Sequence, residues 1–145
     1  MNQAASFITL ATPDLDAARA FYVVGLGWEP LFDVPGEILF FQIAPGVTLG
    51  LFDAAKFAAD LGSAEVPQLA GLTLSQNVSS AAEVDDLVAA AVRAGGRLVK
   101  SPQTADFGGY HGHIADPNGV IWEIAYNSGW SVEPDGTVRL GPVEN

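Results

Sequence analysis

Residues 115–123 read Ala-Asp-Pro-Asn-Gly-Val-Ile-Trp-Glu, a turn sequence followed by the start of a strand. Pro, Asn and Gly in succession favour a tight turn, and the strand after it alternates between its two faces. This hairpin closes the second copy of a pattern. Phe7 to Phe52 and Leu72 to Tyr126 each read as a strand, a helix and then further strands. The repeated pattern therefore predicts a duplicated βαβββ unit.

The predicted fold is α+β, with two βαβββ modules forming one curved mixed sheet around a cleft. Module one is expected at residues 6–53, a linker at 54–70, module two at 71–127 and an irregular C-terminal tail at 128–145. A chain of 145 residues is most simply one domain, residues 1–145.

Local signals place several elements within this pattern. Thr12 is expected to cap the first helix, with Pro13 at its first position. Ser79 and Ser80 followed by Glu83 resemble a capping box for the second helix. Residues 28–34 and 97–100 are predicted as strands.

Composition excludes several classes of partner. Acidic residues outnumber basic ones 17 to 6, for a net charge of −11. Nucleic acid and anionic membrane surfaces are therefore not expected as partners, because both attract basic proteins.

The chain has no cysteine, which excludes disulfides, thiolate metal sites and a cysteine nucleophile. No stretch nears the roughly 18 apolar residues of a membrane helix, and no signal peptide is visible, so a cytoplasmic protein is expected.

Two stretches carry a family resemblance. Residues 8–15, Ile-Thr-Leu-Ala-Thr-Pro-Asp-Leu, followed by Ala20-Phe21-Tyr22 and residues 25–28, resemble the first module of the vicinal oxygen chelate superfamily of glyoxalases, bleomycin-resistance proteins and dioxygenases. Gly108-Gly109-Tyr110 through residues 116–119 to Trp122-Glu123 is similar to the end of its second module. The resemblance implies the curved fold and a homodimer, but covers enzymes and plain drug-binding proteins alike.

The resemblance also implies a divalent metal held by the first and last strands of both modules. The corresponding positions in this sequence are Phe7, Gly50, Thr73 and Glu123. Only Glu123 offers the expected ligand, because phenylalanine and glycine side chains have no donor atom for a metal. The prediction is that the usual metal site is absent and that no cofactor is resident.

Alternation along the strands predicts which residues face the cleft. In each strand one set is apolar and suits burial beneath helices, whereas the opposite set mixes aromatic, hydroxyl and amide side chains. A surface of that kind suits a small organic ligand. The predicted ligand contacts are Phe7, Thr9, Phe40, Gln42, Thr73, Ser75, Tyr110, His111 and Trp130.

The two histidines of the chain, His111 and His113, are two residues apart on one strand and so share a face. Glu123 is expected on the neighbouring strand. Three interpretations remain open. The imidazoles are polar residues bonded to water, or Glu123 and His113 are a catalytic acid/base pair, or His111, His113 and Glu123 hold a relocated divalent metal.

The function predicted from these observations is the binding of a small organic molecule in the cleft, as in bleomycin-resistance proteins, without the family's usual metal. The net charge of −11 favours cationic ligands. The alternative is a lyase, isomerase or dioxygenase-type enzyme that uses Glu123 with His111 and His113, either as acid and base or as metal ligands. Whether the protein is an enzyme is left open by the sequence.

Overall fold

The computed structural model describes residues 1, 3–65, 68, 70–105 and 108–143. Parts of the predicted linker and tail, residues 66, 67, 69, 144 and 145, lie outside this description. The chain divides into two compact units, Met1–Gly71 and Leu72–Asn145. In chain order the elements are β1 (Phe7–Thr12), α1 (Leu15–Arg19) continued by a π-helical segment (Ala20–Gly25), β2 (Phe32–Val34), β3 (Ile38–Ala44), β4 (Val47–Asp53), α2 (Ala54–Asp60), β5 (Thr73–Val78), α3 (Ala81–Arg93), β6 (Arg97–Thr104), β7 (Tyr110–Ala115), β8 (Ile121–Tyr126), β9 (Trp130–Val132) and β10 (Val138–Leu140).

The first unit contains a four-stranded mixed sheet in the order β1-β4-β3-β2, with β1 parallel to β4. Apolar side chains on one face of this sheet are buried, among them Leu49 and Phe41. Phe21 and Tyr22 of the π-helical segment are also buried, and the Tyr22 ring lies 5.6 Å from that of Phe41. The helical residues therefore cover the apolar face and leave the opposite face open.

The second unit repeats the arrangement, with strand order β5-β8-β7-β6 and β5 parallel to β8. Helix α3 packs on this sheet and buries Val84 and Val88. Its N-terminus is the predicted capping box. The Ser80 hydroxyl accepts from the Glu83 backbone N–H, and the Glu83 carboxylate accepts from both the backbone and the hydroxyl of Ser79.

The α+β class and the duplicated βαβββ order are confirmed, and the strands form one four-stranded mixed sheet in each unit. Three local predictions were wrong. Helix α1 is capped by Asp14, since Thr12 ends β1 and its hydroxyl donates to the Leu10 carbonyl. The strand predicted at 28–34 is only β2, and the tail forms an antiparallel hairpin of β9 and β10 in place of an irregular segment.

None of the helices that the structure describes is long and apolar enough to cross a membrane.

Candidate functional site

Strands β7 and β8 bring three titratable side chains to the open face of the second unit's sheet. His111 and His113 alternate along β7, so both side chains point to one face, while Ile114 between β7 and α3 is buried on the other. Glu123 on β8 pairs directly with His113 across the antiparallel ladder. The tight turn at residues 116–119 fixes this register.

The carboxylate of Glu123 is the centre of the cluster. Its Oε1 lies 2.9 Å from Nδ1 of His111 and 3.5 Å from Nε2 of His113. Its Oε2 accepts a hydrogen bond of 2.8 Å from the Ser75 hydroxyl on β5. The side chains of His111, His113 and Glu123 are 12%, 20% and 27% exposed, so the cluster is partly shielded yet reachable from solvent.

Lys100 adds a cation that the sequence did not predict. Strand β6 shifts register twice against β7, so that Lys100 pairs with His113 and Gln103 with His111. The first shift brings Lys100, and not Val99, opposite His113. β-bulges next to functional sites commonly redirect a side chain in this way. Pro102 inside the strand is the sequence signal for such a bulge, and it packs tightly against Gly112.

The contact with Lys100 determines which ring nitrogen of His111 carries the proton. Lys100 Nζ lies 2.9 Å from Nε2 of His111. An ammonium group has no acceptor, so Nε2 must accept this hydrogen bond, and the ring proton is on Nδ1. Nδ1 then donates to Glu123 Oε1. Lys100, His111, Glu123 and Ser75 thus form one continuous chain of hydrogen bonds.

Burial and neighbouring charges shift the pKa values of two groups in this cluster, His113 and Glu123. Burial is the largest effect on the pKa of His113 and lowers it. The charge of Glu123 raises this pKa, whereas His111 and Lys100 lower it, so the pKa of His113 lies below its ordinary value. Burial raises the pKa of Glu123, but hydrogen bonds from His111 and Ser75 together with both imidazoles outweigh it, so that pKa is lowered. Among the described side chains, His113 Nδ1 is a buried nitrogen without a hydrogen-bond partner. A neutral imidazole therefore faces an ionised carboxylate at neutral pH.

We expect His113 to titrate below the ordinary histidine value of about 6.5 in NMR experiments. The Glu123→Gln variant should lower the pKa of His113 further, because the carboxylate stabilises the imidazolium. Asp85→Asn is the matched control, since Asp85 accepts from Tyr110 instead, and should leave the titration unchanged. A pKa of His113 above the ordinary value, or one that rises in Glu123→Gln, would contradict this arrangement.

The open face of the first unit's sheet is aromatic where that of the second is polar. The rings of Phe7 and Phe40 meet edge to face with centroids 5.3 Å apart, and Phe32 lies 6.0 Å from Phe40. Phe7 is 52% exposed. A Cβ atom added at Gly50 would lie 3.1 Å from the Phe40 ring and 3.2 Å from the Thr9 hydroxyl oxygen. The space beside Gly50 is therefore occupied by Phe40 and Thr9.

The remaining predicted ligand contacts lie on β3, β5, β7 and β9. Gln42 and Thr73 are exposed on β3 and β5. Tyr110 donates to Asp85 of α3 and shares the helix-side face of β7 with Ile114, the face opposite the two histidines. Trp130 is half-buried on β9, in the C-terminal hairpin.

The duplicated βαβββ order, with one copy in each unit, defines the class of fold to which the chain belongs. The family model of the Glyoxalase/Bleomycin resistance protein/Dioxygenase superfamily matches residues 4–124, and this chain belongs to that family. The resemblance seen in the sequence is thereby confirmed.

Solved structures of the family are similar over most of the chain. A glyoxalase-related enzyme from Fulvimarina pelagi is 37% identical, with a TM-score of 0.87 and coverage of 97% of this chain and 99% of the other. A glyoxalase/bleomycin resistance protein/dioxygenase from Nocardioides is 26% identical, covering 87% and 84% with a TM-score of 0.71. A lactoylglutathione lyase from Agrobacterium tumefaciens is 25% identical, covering 86% and 94% with a TM-score of 0.67. None of the curated proteins compared with the chain matches it.

The positions implied for the family's usual metal do not fit a metal ion in this chain. Phe7 is an exposed hydrocarbon ring in contact with Phe40, and Gly50 has no side chain, while a Cβ atom added there would crowd Phe40 and Thr9. Thr73 is exposed and pairs with Ile121 on β8. Glu123 alone offers a good ligand, and one carboxylate with a hydroxyl does not satisfy a divalent cation.

Proposed function

We propose that this protein binds a small organic molecule without the family's usual metal site. The ligand combines a flat apolar part with at least one oxygen that accepts or donates hydrogen bonds. The observation that carries this proposal is the Glu123 cluster, in which an ammonium, a neutral imidazole and a carboxylate lie together on an open and partly shielded sheet face. Convergent polar groups of this kind orient ligands in small-molecule sites.

The aromatic face of the first unit supports the apolar half of this proposal. Phe7 and Phe40 present adjoining rings, and the exposed fraction of Phe7 is large enough for a flat ligand to stack on it. Thr9 and Gln42 supply polar groups on the same face. The proposed ligand contacts are these four residues together with Thr73, Ser75, Tyr110, His111 and Trp130 of the second unit. That the two faces belong to one cleft within a single domain stays a prediction.

The test is a binding screen in the presence of EDTA, so that metal plays no part. Phenols, aromatic carboxylates and aromatic amines are added singly while the NMR signals of His111 and His113, the two histidines of the chain, are followed. We expect saturable binding of at least one class. The affinity should fall about tenfold or more, about 1.4 kcal/mol, in Glu123→Gln and in Phe7→Ala.

Two matched variants separate binding from general surface effects. Glu29→Gln removes an exposed carboxylate elsewhere, and Val24→Ala trims a side chain that is 81% exposed; neither should change affinity. The proposal fails if no class shifts the imidazole signals, or if Glu123→Gln and Glu29→Gln behave alike. Preference for amines over carboxylates would agree with the steering expected from the net charge of −11.

The second candidate function is that of an enzyme. It is favoured by the contact of both imidazoles with an oriented carboxylate. Two of the similar structures are also named as enzymes, a glyoxalase-related enzyme and a lactoylglutathione lyase. In this candidate Glu123 and His113 move a proton at the carbon beside a carbonyl group, as lyases and isomerases do. Deuterium exchange at that carbon in a panel of hydroxyketones, abolished by Glu123→Gln, would support it. Absence of exchange with every ketone would favour binding alone.

A cytoplasmic location and a homodimer are proposed from the family resemblance and the sequence. Light scattering on the purified chain tests the second, with a mass twice the 15.1 kDa of one chain expected.

A further inference from the structure

We propose that His111, His113 and Glu123 bind a divalent transition-metal ion within the second unit alone. This goes beyond the proposed binding of an organic ligand, which is tested without metal. One donor atom from each of the three residues lies within 4.8 Å of the others. Metal–nitrogen and metal–oxygen bonds of about 2.0–2.2 Å place neighbouring donors roughly 3–4 Å apart. The contacts of Glu123 Oε1 with the two imidazoles, 2.9 and 3.5 Å, are close to that spacing.

The carboxylate is already oriented for one-point coordination. Ser75 holds Oε2, which leaves Oε1 directed at both imidazoles. Hydrogen bonds of this kind, one layer outside the ligands, fix a metal-binding carboxylate and raise its affinity.

The donor set indicates the class of metal. Two imidazoles and one carboxylate suit Zn²⁺, Fe²⁺, Co²⁺ or Ni²⁺ and not Mg²⁺ or Ca²⁺, which take oxygen ligands. Three protein ligands leave further coordination positions for water or an oxygen of an organic ligand. The position also differs from the one that the family resemblance implies, because both imidazoles come from β7 and none from β1 or β5.

Lys100 opposes this metal. Its ammonium donates to Nε2 of His111 and so keeps the proton on Nδ1, the nitrogen that faces Glu123. Coordination through Nδ1 removes that proton and requires the Lys100 contact to break. The two positive charges also repel. Since Lys100 is an exposed side chain, it can move away, and the expected result is a site of moderate affinity that tightens when the lysine is lost.

The experiment is calorimetric titration of EDTA-treated protein, prepared without an affinity tag, with Zn²⁺, Co²⁺, Ni²⁺ and Fe²⁺ in turn. We expect one equivalent of at least one metal to bind. Affinity should fall about a hundredfold or more in His113→Ala and about tenfold in Ser75→Ala, and rise at least about threefold in Lys100→Met. Glu29→Gln should have no effect, which separates the site from general attraction of cations to an acidic surface.

His113→Phe, which keeps a ring but has no donor atom, serves as a second variant in case His113→Ala fails to fold, and circular dichroism checks both. The proposal is overturned if wild-type protein binds none of the four metals stoichiometrically, or if binding survives in folded His113→Phe. An affinity that falls in Lys100→Met would equally contradict it. Because the organic-ligand screen contains EDTA, failure here leaves the result of that screen standing, and the reverse also holds.

Discussion

Replacing Asp116 by alanine is expected to lower the free energy of unfolding by about 2–4 kcal/mol. Asp116 is only 4% exposed, and its Oδ1 accepts from the backbone N–H groups of Asn118 and Val120 at 2.8 and 2.9 Å. Without this oxygen, two backbone donors lose their acceptor, and that of Val120 is in a buried residue. Denaturant unfolding of the purified variant measures the loss.

The matched variant is Asp116→Asn, which keeps an oxygen at the acceptor position and should cost only about 1 kcal/mol. This turn joins β7 to β8, so Asp116→Ala should also weaken the pairing of His113 with Glu123. The His113 NMR signal reports that pairing independently of stability. Equal stability of Asp116→Ala and Asp116→Asn would show that the turn does not depend on these hydrogen bonds.

Replacing Gly50 by glutamate, the residue type that the family resemblance implies at this position, is expected to destabilise the first unit by about 2–4 kcal/mol. Gly50 is buried, and a Cβ atom there would lie only 3.1 Å from the Phe40 ring and 3.2 Å from the Thr9 hydroxyl oxygen, closer than ordinary van der Waals contact. Phe40 is itself flanked by Phe7 and Phe32, so it cannot move aside freely. Thermal and denaturant unfolding measure the change.

Thr48→Glu is the control for this substitution, because Thr48 lies on the same face of β4 two residues earlier and is half-buried. It should cost less than about 1 kcal/mol. In a Phe40→Ala background, Gly50→Glu should be better tolerated, with a coupling of about 1 kcal/mol or more. If Gly50→Glu and Thr48→Glu cost the same, Phe40 does not fill the position as described.

The two units place different chemistry at corresponding positions of the same strand order. In the first unit Thr9, Gly50 and Phe40 lie side by side across three strands. In the second, Ser75, Glu123 and His113 occupy the equivalent places. One copy thus presents an aromatic surface where the other presents a hydrogen-bonded carboxylate. The two units share one strand order, and the residue types at the equivalent positions place the titratable groups in the second unit.

Much of this arrangement could be predicted from local sequence. Alternation along a strand fixes which residues share a face, so the common face of His111 and His113 followed from their spacing alone. The turn at 116–119 then predicted Glu123 on the neighbouring strand, where the structure pairs it with His113. The capping box at Ser80 followed equally from short-range hydrogen bonding.

The parts that sequence did not predict depend on contacts between distant residues. Strand β6 was expected to stop near Lys100, yet it continues to Thr104 through two register shifts. Nothing in the local pattern states which neighbour a shifted strand will face, so the contact of Lys100 with His111 could not be seen. The hydrogen bond from the Tyr110 hydroxyl to Asp85 of α3 likewise joins residues that are distant in the sequence, and the local pattern did not predict it.

The most direct measurement is the nitrogen NMR spectrum of the two imidazoles in metal-free protein at neutral pH. A His111 ring protonated on Nδ1 and unprotonated on Nε2 is the expected result, since Lys100 donates to one nitrogen and Glu123 accepts from the other. The Nδ1 signal of His111 should shift clearly in Glu123→Gln. A His111 ring protonated on Nε2 alone, or one insensitive to the loss of the Glu123 charge, would contradict a cluster built around that carboxylate.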